Sequence, residues 1–78
     1  RWVAIMTESY QGLREAAMAR RRSVMDSYGA TNQAEFFAVA TETFFEKPDT
    51  MKRDLPELYT LLADYYHQNP ADWSTVAR

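Results

Sequence analysis

Asn32-Gln33-Ala34-Glu35-Phe36-Phe37-Ala38-Val39-Ala40-Thr41-Glu42-Thr43-Phe44-Phe45-Glu46 is the stretch on which the fold turns. At about 100° of rotation per residue, Glu35, Glu42 and Glu46 fall along one side of a helix. The four phenylalanines of the chain occupy the rest of its surface, and the expectation is that all four are buried. Asn32 suits the N-cap, where a short polar side chain accepts an orphan amide proton of the first turn. Glu35 then stands three residues on, where its carboxylate can reach back to the Asn32 amide and complete a capping box. A carboxylate among aromatics has a second use, as a ligand for something positive. Lys47-Pro48 ends the helix near Glu46, because a proline pushes its predecessor out of the α region.

On the N-terminal side, Trp2, Met6, Tyr10, Leu13 and Ala17 recur at three- and four-residue spacing. That period predicts an amphipathic helix over about residues 2–21. Arg20, Arg21 and Arg22 fall in its last turn, where cations meet the negative end of the helix dipole. Ser27-Tyr28-Gly29-Ala30-Thr31 breaks the period and reads as a loop. On the C-terminal side, Pro48 to Met51 has room for one short helical turn. Asp54-Leu55-Pro56-Glu57 is a second start signal, with Asp54 as N-cap and Glu57 at the third helical position. Leu58, Leu61, Leu62 and Tyr65 then supply the buried stripe of a third main helix ending near Gln68. Asn69-Pro70 stops it, and residues 71–78, including Trp73, read as a loosely ordered tail. The fold class is all-α: three main helices with short loops, forming one helical subdomain over residues 1–78.

Composition bounds what such a chain does. Seventy-eight residues hold one small core, and 46% hydrophobic with 14% aromatic content is enough to fill it. No cysteine is present, which removes disulfides and thiol catalysis and suits a reducing compartment. No apolar run approaches the roughly 20 residues that span a bilayer. No charged-then-apolar leader opens the chain, so neither signal peptide nor anchor is expected. Residues 1–39 carry five cationic and four anionic side chains, residues 40–78 four and seven. With one basic cluster, Arg20 to Arg22, nucleic acid is disfavoured as a partner.

A metal site cannot be completed from these residues. Zinc takes three or four ligands from Cys, His, Asp and Glu. The chain has one histidine, His67, beside a helix C-terminus where a cation is favoured. Glu35 and Glu42, seven residues apart, are separated by about 10 Å along a helix, too far to share one ion easily. Any metal bound by Glu35 must draw its other ligands from elsewhere. Glu42 reads equally as a solvated acid or as a group that orients ligands.

Tyr28, the run Asn32-x-x-Glu35-Phe36-Phe37-Ala38-Val39-x-x-Glu42-x-Phe44-Phe45, then Pro56-Glu57-Leu58-Tyr59 and Tyr66-x-Gln68-x-Pro70 together resemble a known family. It is the C-terminal part of the Mlc titration factor A family, bacterial zinc peptidases with a catalytic core similar to the anthrax lethal factor protease domain. The resemblance runs from Trp2 to about Pro70, and its Glu-Phe-Phe-Ala-Val block is far more specific than a lone capping box. In that family two zinc ligands come from a His-Glu-x-x-His helix and a third is a glutamate on a later helix, which maps onto Glu35. A tyrosine seven residues before that glutamate maps onto Tyr28, implying a hydroxyl that stabilises the oxyanion of peptide hydrolysis. No His-Glu-x-x-His occurs in these 78 residues.

The resemblance therefore implies a segment of a larger zinc-dependent metallopeptidase, inactive alone because it lacks the general base and two of three zinc ligands. Its implied partners are the rest of the parent chain, a peptide substrate and a glucose-responsive transcriptional repressor protein, in the cytoplasm, with neither nucleic acid nor membrane involved. The competing reading is a small non-catalytic interaction module that docks a partner, or a second copy in a homodimer, through exposed apolar faces.

Overall fold

The computed structural model describes residues 2–71 as an all-helical arrangement. Helix α1 spans Trp2–Met18, a 3-10 turn spans Ser27–Ala30, and α2 spans Gln33–Glu46. Helices α3, Pro48–Asp54, and α4, Pro56–Tyr66, follow with a single residue between successive helices. No strand occurs among the described residues. Residues 72–78, with the expected tail and Trp73, lie outside them.

Helix α1 stops three residues short of the expected end, and backbone geometry gives the reason. Arg20 takes a left-handed conformation with φ of 56°. The Arg21 amide then donates to the Ala16 carbonyl at 2.8 Å and the Arg20 amide to that of Ala17 at 3.2 Å. This pair of bonds is the Schellman closure, which satisfies the last carbonyls by turning the chain away. Arg20 to Arg22 accordingly lie beyond the helix rather than in its last turn.

Two prolines set the corners that follow. Pro48 and Pro56 open α3 and α4, where a missing amide proton costs nothing. Their predecessors Lys47 and Leu55 adopt φ of −131° and −134°, outside the α region. The expected turn after Pro48 is thus a seven-residue helix, with Asp49 in its first turn and Lys52 and Arg53 in its last, as the dipole favours. Asp54 does not cap α4. It is the last residue of α3, and its carboxylate accepts from the Arg53 side chain at 2.9 Å. That hydrogen bond holds the exposed Asp54 carboxyl below its ordinary pKa. Leu55, with no side-chain cap bond, precedes α4 instead.

Side chains from every element meet in one core: Ile5 and Leu13 of α1, Met25 of the loop, Phe36, Val39 and Phe44 of α2, Met51 of α3, and Leu58, Leu61 and Leu62 of α4. Thr43 is buried among them without penalty, since its hydroxyl donates to the Val39 carbonyl at 2.8 Å. Two phenylalanines are buried, not four: Phe44 is fully enclosed, whereas its neighbour Phe45 is 39% exposed and Phe37 is half-buried. Tyr65 likewise leaves the expected buried stripe of α4 and is 56% exposed, while Tyr59 takes the inner position. The Tyr59 hydroxyl donates to Asn69 and accepts the Ala71 amide proton at 3.1 Å, so Ala71 is a buried, bonded residue and not part of a loose tail.

Candidate functional site

The N-terminus of α2 forms as its sequence requires. Asn32 is extended at φ −163°, and its side-chain oxygen accepts the Glu35 amide proton at 2.9 Å. The carboxylate of Glu35 does not return the bond, and it has no hydrogen-bond partner among the described residues. Half-buried on the first turn, it is left to face a groove.

That groove, an open depression of about 620 Å³, collects the residues that the sequence singled out. Tyr28 from the 3-10 turn stands on its wall with Glu35, while Ala38 and Glu42 continue the same face of α2. Tyr28 is 58% exposed, so its side chain is not buried against α2. The turn beneath it is fixed from two sides. Asp26 caps it by accepting the Tyr28 amide proton at 2.9 Å. Gly29 packs so closely that an added Cβ would lie 3.0 Å from Leu13 Cδ2 and 3.2 Å from Val39 Cβ. Tyr28 is therefore carried on a turn wedged between α1 and α2. The hydroxyl of Tyr10 also approaches the Ala30 carbonyl at 3.5 Å, a long contact.

Helix α4 also contributes to the groove. Tyr66 lines the groove, and its hydroxyl lies 2.9 Å from that of Thr41 on α2. Its ring stacks on Phe44 at 5.9 Å and packs against Phe45 and Tyr65. No pattern in the sequence pairs Thr41 with Tyr66, because the two are 25 residues apart and meet only when α4 folds over α2. A second depression of about 310 Å³ lies between α1 and the start of α2, lined by Trp2, Met6, Tyr10, Phe36 and Phe37. It is walled mainly by apolar and aromatic side chains, with no carboxylate among the described residues that line it. Beside it the rings of Trp2, Phe37 and Tyr65 cluster within 5.2 to 6.3 Å of one another, so Trp2 sits at an exposed rim rather than in the core.

Among the described residues, no three His, Asp or Glu side chains come together as a metal site. Glu35 fits the part of a single ligand: an anionic donor, partly shielded, with no hydrogen bond to give up. Glu42 lines the groove as well but is exposed, and His67 closes α4 in a left-handed conformation outside it. Among the described residues, no cationic side chain lines the groove beside its two carboxylates.

The profile of the glucose-regulated metallo-peptidase M90 family matches residues 1–67. This chain is a member of that family. An uncharacterized protein of Synechocystis sp. is 44% identical over 70 residues, which is 90% of this chain and 26% of that protein. Mlc titration factor A of Edwardsiella ictaluri is 31% identical over 71 residues, 88% of this chain and 27% of that protein. Mlc titration factor A of Yersinia pestis is 41% identical over 46 residues, 59% of this chain and 17% of that protein. The chain thus spans about a quarter of the length of the first two relatives. No solved structure matches it. M90 membership makes this a segment of a metallopeptidase family, and the Mlc titration factor A resemblance read from its motifs holds. No helix among the described residues is long and apolar enough to cross a membrane.

Proposed function

We propose that these residues form the C-terminal helical segment of a zinc-dependent peptidase, in which Glu35 supplies one metal ligand and Tyr28 a hydrogen bond to the reacting carbonyl oxygen. The observation that carries this reading is the placement of the unpartnered Glu35 carboxylate and the exposed Tyr28 phenol on one groove. When bound, the metal would polarise the scissile carbonyl and lower the pKa of the attacking water.

The chain's own contribution is positioning. Glu35 is held by a capped helix whose register is locked by Phe36 and Phe44 in the core, which limits how far the carboxylate can stray. Tyr28 sits on a turn fixed by Asp26 and by the close approach of Gly29 to Leu13 and Val39. A phenol carries one O–H donor, which can stabilise negative charge developing on the carbonyl oxygen. The other metal ligands and the general base would come from the remaining part of the longer protein, since the 78 residues contain no His-Glu-x-x-His.

The reading extends to a cytoplasmic protein that acts on peptides and binds a glucose-responsive repressor. Its support is the absence of cysteine, the description of the family as glucose-regulated, and relatives named as titration factors of Mlc. The test is Tyr28→Phe in the longer protein. Peptide hydrolysis should fall in kcat by about a hundredfold or more with metal content unchanged, and an unaltered kcat would remove Tyr28 from the reaction.

A further inference from the structure

From the Thr41–Tyr66 contact we infer a substrate-binding subsite: the Tyr66 hydroxyl, oriented by Thr41, hydrogen-bonds the backbone of an extended peptide lying along the groove. The inference rests on the peptidase reading, which it deepens by assigning residues that hold the substrate away from the scissile bond.

Hydrogen-bond arithmetic carries it. Two hydroxyls bring two O–H donors, and their mutual bond at 2.9 Å consumes one, whichever atom donates. The described residues offer no second partner to either hydroxyl, so one donor and spare acceptor lone pairs remain available. Tyr66 lines the same groove as Tyr28 and Glu35. An extended peptide presents this chemistry repeatedly, one N–H and one C=O per residue.

Spacing agrees with such a ligand. Thr41 stands six residues beyond Glu35, about 9 Å along the helix axis. An extended chain advances about 3.3 Å per residue, so the pair would meet a peptide two to three residues from the bond at Glu35. The Tyr66 ring is held by Phe44, Phe45 and Tyr65, so its hydroxyl is placed in advance and loses little freedom on binding. Tyr66 would touch substrate, and Thr41 would position it.

The experiment uses the longer protein and its Tyr66→Phe and Thr41→Val forms. Each substitution removes a hydroxyl while keeping the side chain's size. Cleavage of a two-residue and a six-residue alanine peptide is followed by amine release, with metal content measured alongside. Both variants should raise KM for the six-residue peptide by roughly three- to tenfold, the worth of one hydrogen bond. Metal content, kcat and the two-residue peptide should be unaffected, the pattern of lost uniform binding. An unchanged KM for the long peptide overturns the subsite, as does an equal rise for both peptides, which a purely structural role would give. Should the parent protein cleave neither peptide, the peptidase reading fails separately. Calorimetric binding of the six-residue peptide then decides, and equal Kd for parent and Tyr66→Phe overturns the subsite on its own.

Discussion

Asn32 accepts the amide proton of Glu35 at 2.9 Å, while the Glu35 carboxylate makes no return bond to Asn32. The capping box suggested by the sequence is therefore half built. The half that is missing is the one that would have occupied the carboxylate. Asn32→Ala should destabilise the protein by about 1 kcal/mol. Glu35→Ala should cost only its favourable place at the helix N-terminus, about 0.3–0.5 kcal/mol. Denaturant unfolding of both variants checks this, and equal losses would mean that the box closes after all.

Gly29 is the residue on which the position of Tyr28 depends. An alanine there meets Leu13 Cδ2 at 3.0 Å and Val39 Cβ at 3.2 Å, and both belong to packed helices. Gly29→Ala should lower stability by about 1–3 kcal/mol as the turn is pushed outward. In the longer protein it should also reduce peptide hydrolysis more than Tyr10→Phe, whose removed hydroxyl makes only a long contact. Thermal melting and kcat together test it.

Arg20 adopts φ of 56°, a conformation that costs an L-residue energy and a glycine none. Arg20→Gly should raise stability by about 0.5 kcal/mol, the relief exceeding the added entropy of the unfolded chain. A loss of stability on melting would mean that the guanidinium makes an interaction stronger than the backbone cost.

Adjacent phenylalanines test the register of α2. Phe44 is fully buried and Phe45 is 39% exposed. Phe44→Ala should cost about 3–5 kcal/mol, and Phe45→Ala clearly less. Similar losses in denaturant unfolding would place the two rings differently from the arrangement described here.

Features written locally were legible in the sequence. The Asn32 cap, the proline corner after Glu46 and the period of Leu58, Leu61 and Leu62 each depend on neighbours within one helical turn. Where two local signals competed, the structure chose between them. Asp54 and Pro56 both announce a helix start, and proline wins because α3 runs on through Asp54 and draws its carboxylate to Arg53. The end of α1 was hidden, since Arg20 gives no hint of a left-handed residue in the way glycine would. Tyr65 and Trp2 have core-like spacing but sit at a rim that no described element covers. The candidate site divides similarly. Tyr28 and Glu35 were read from a motif, whereas the Thr41–Tyr66 pair depends on the crossing of α4 over α2, which no local pattern encodes.

Metal content of the longer protein, compared with its Glu35→Gln form after dialysis and measured by elemental mass spectrometry, tests the central claim most directly. If Glu35 is a ligand, Glu35→Gln should lose most of its zinc while its melting behaviour in metal-free buffer matches that of the parent to within the small dipole contribution. Full zinc occupancy in Glu35→Gln would contradict the assignment and leave Glu35 as a helix-terminal acid alone.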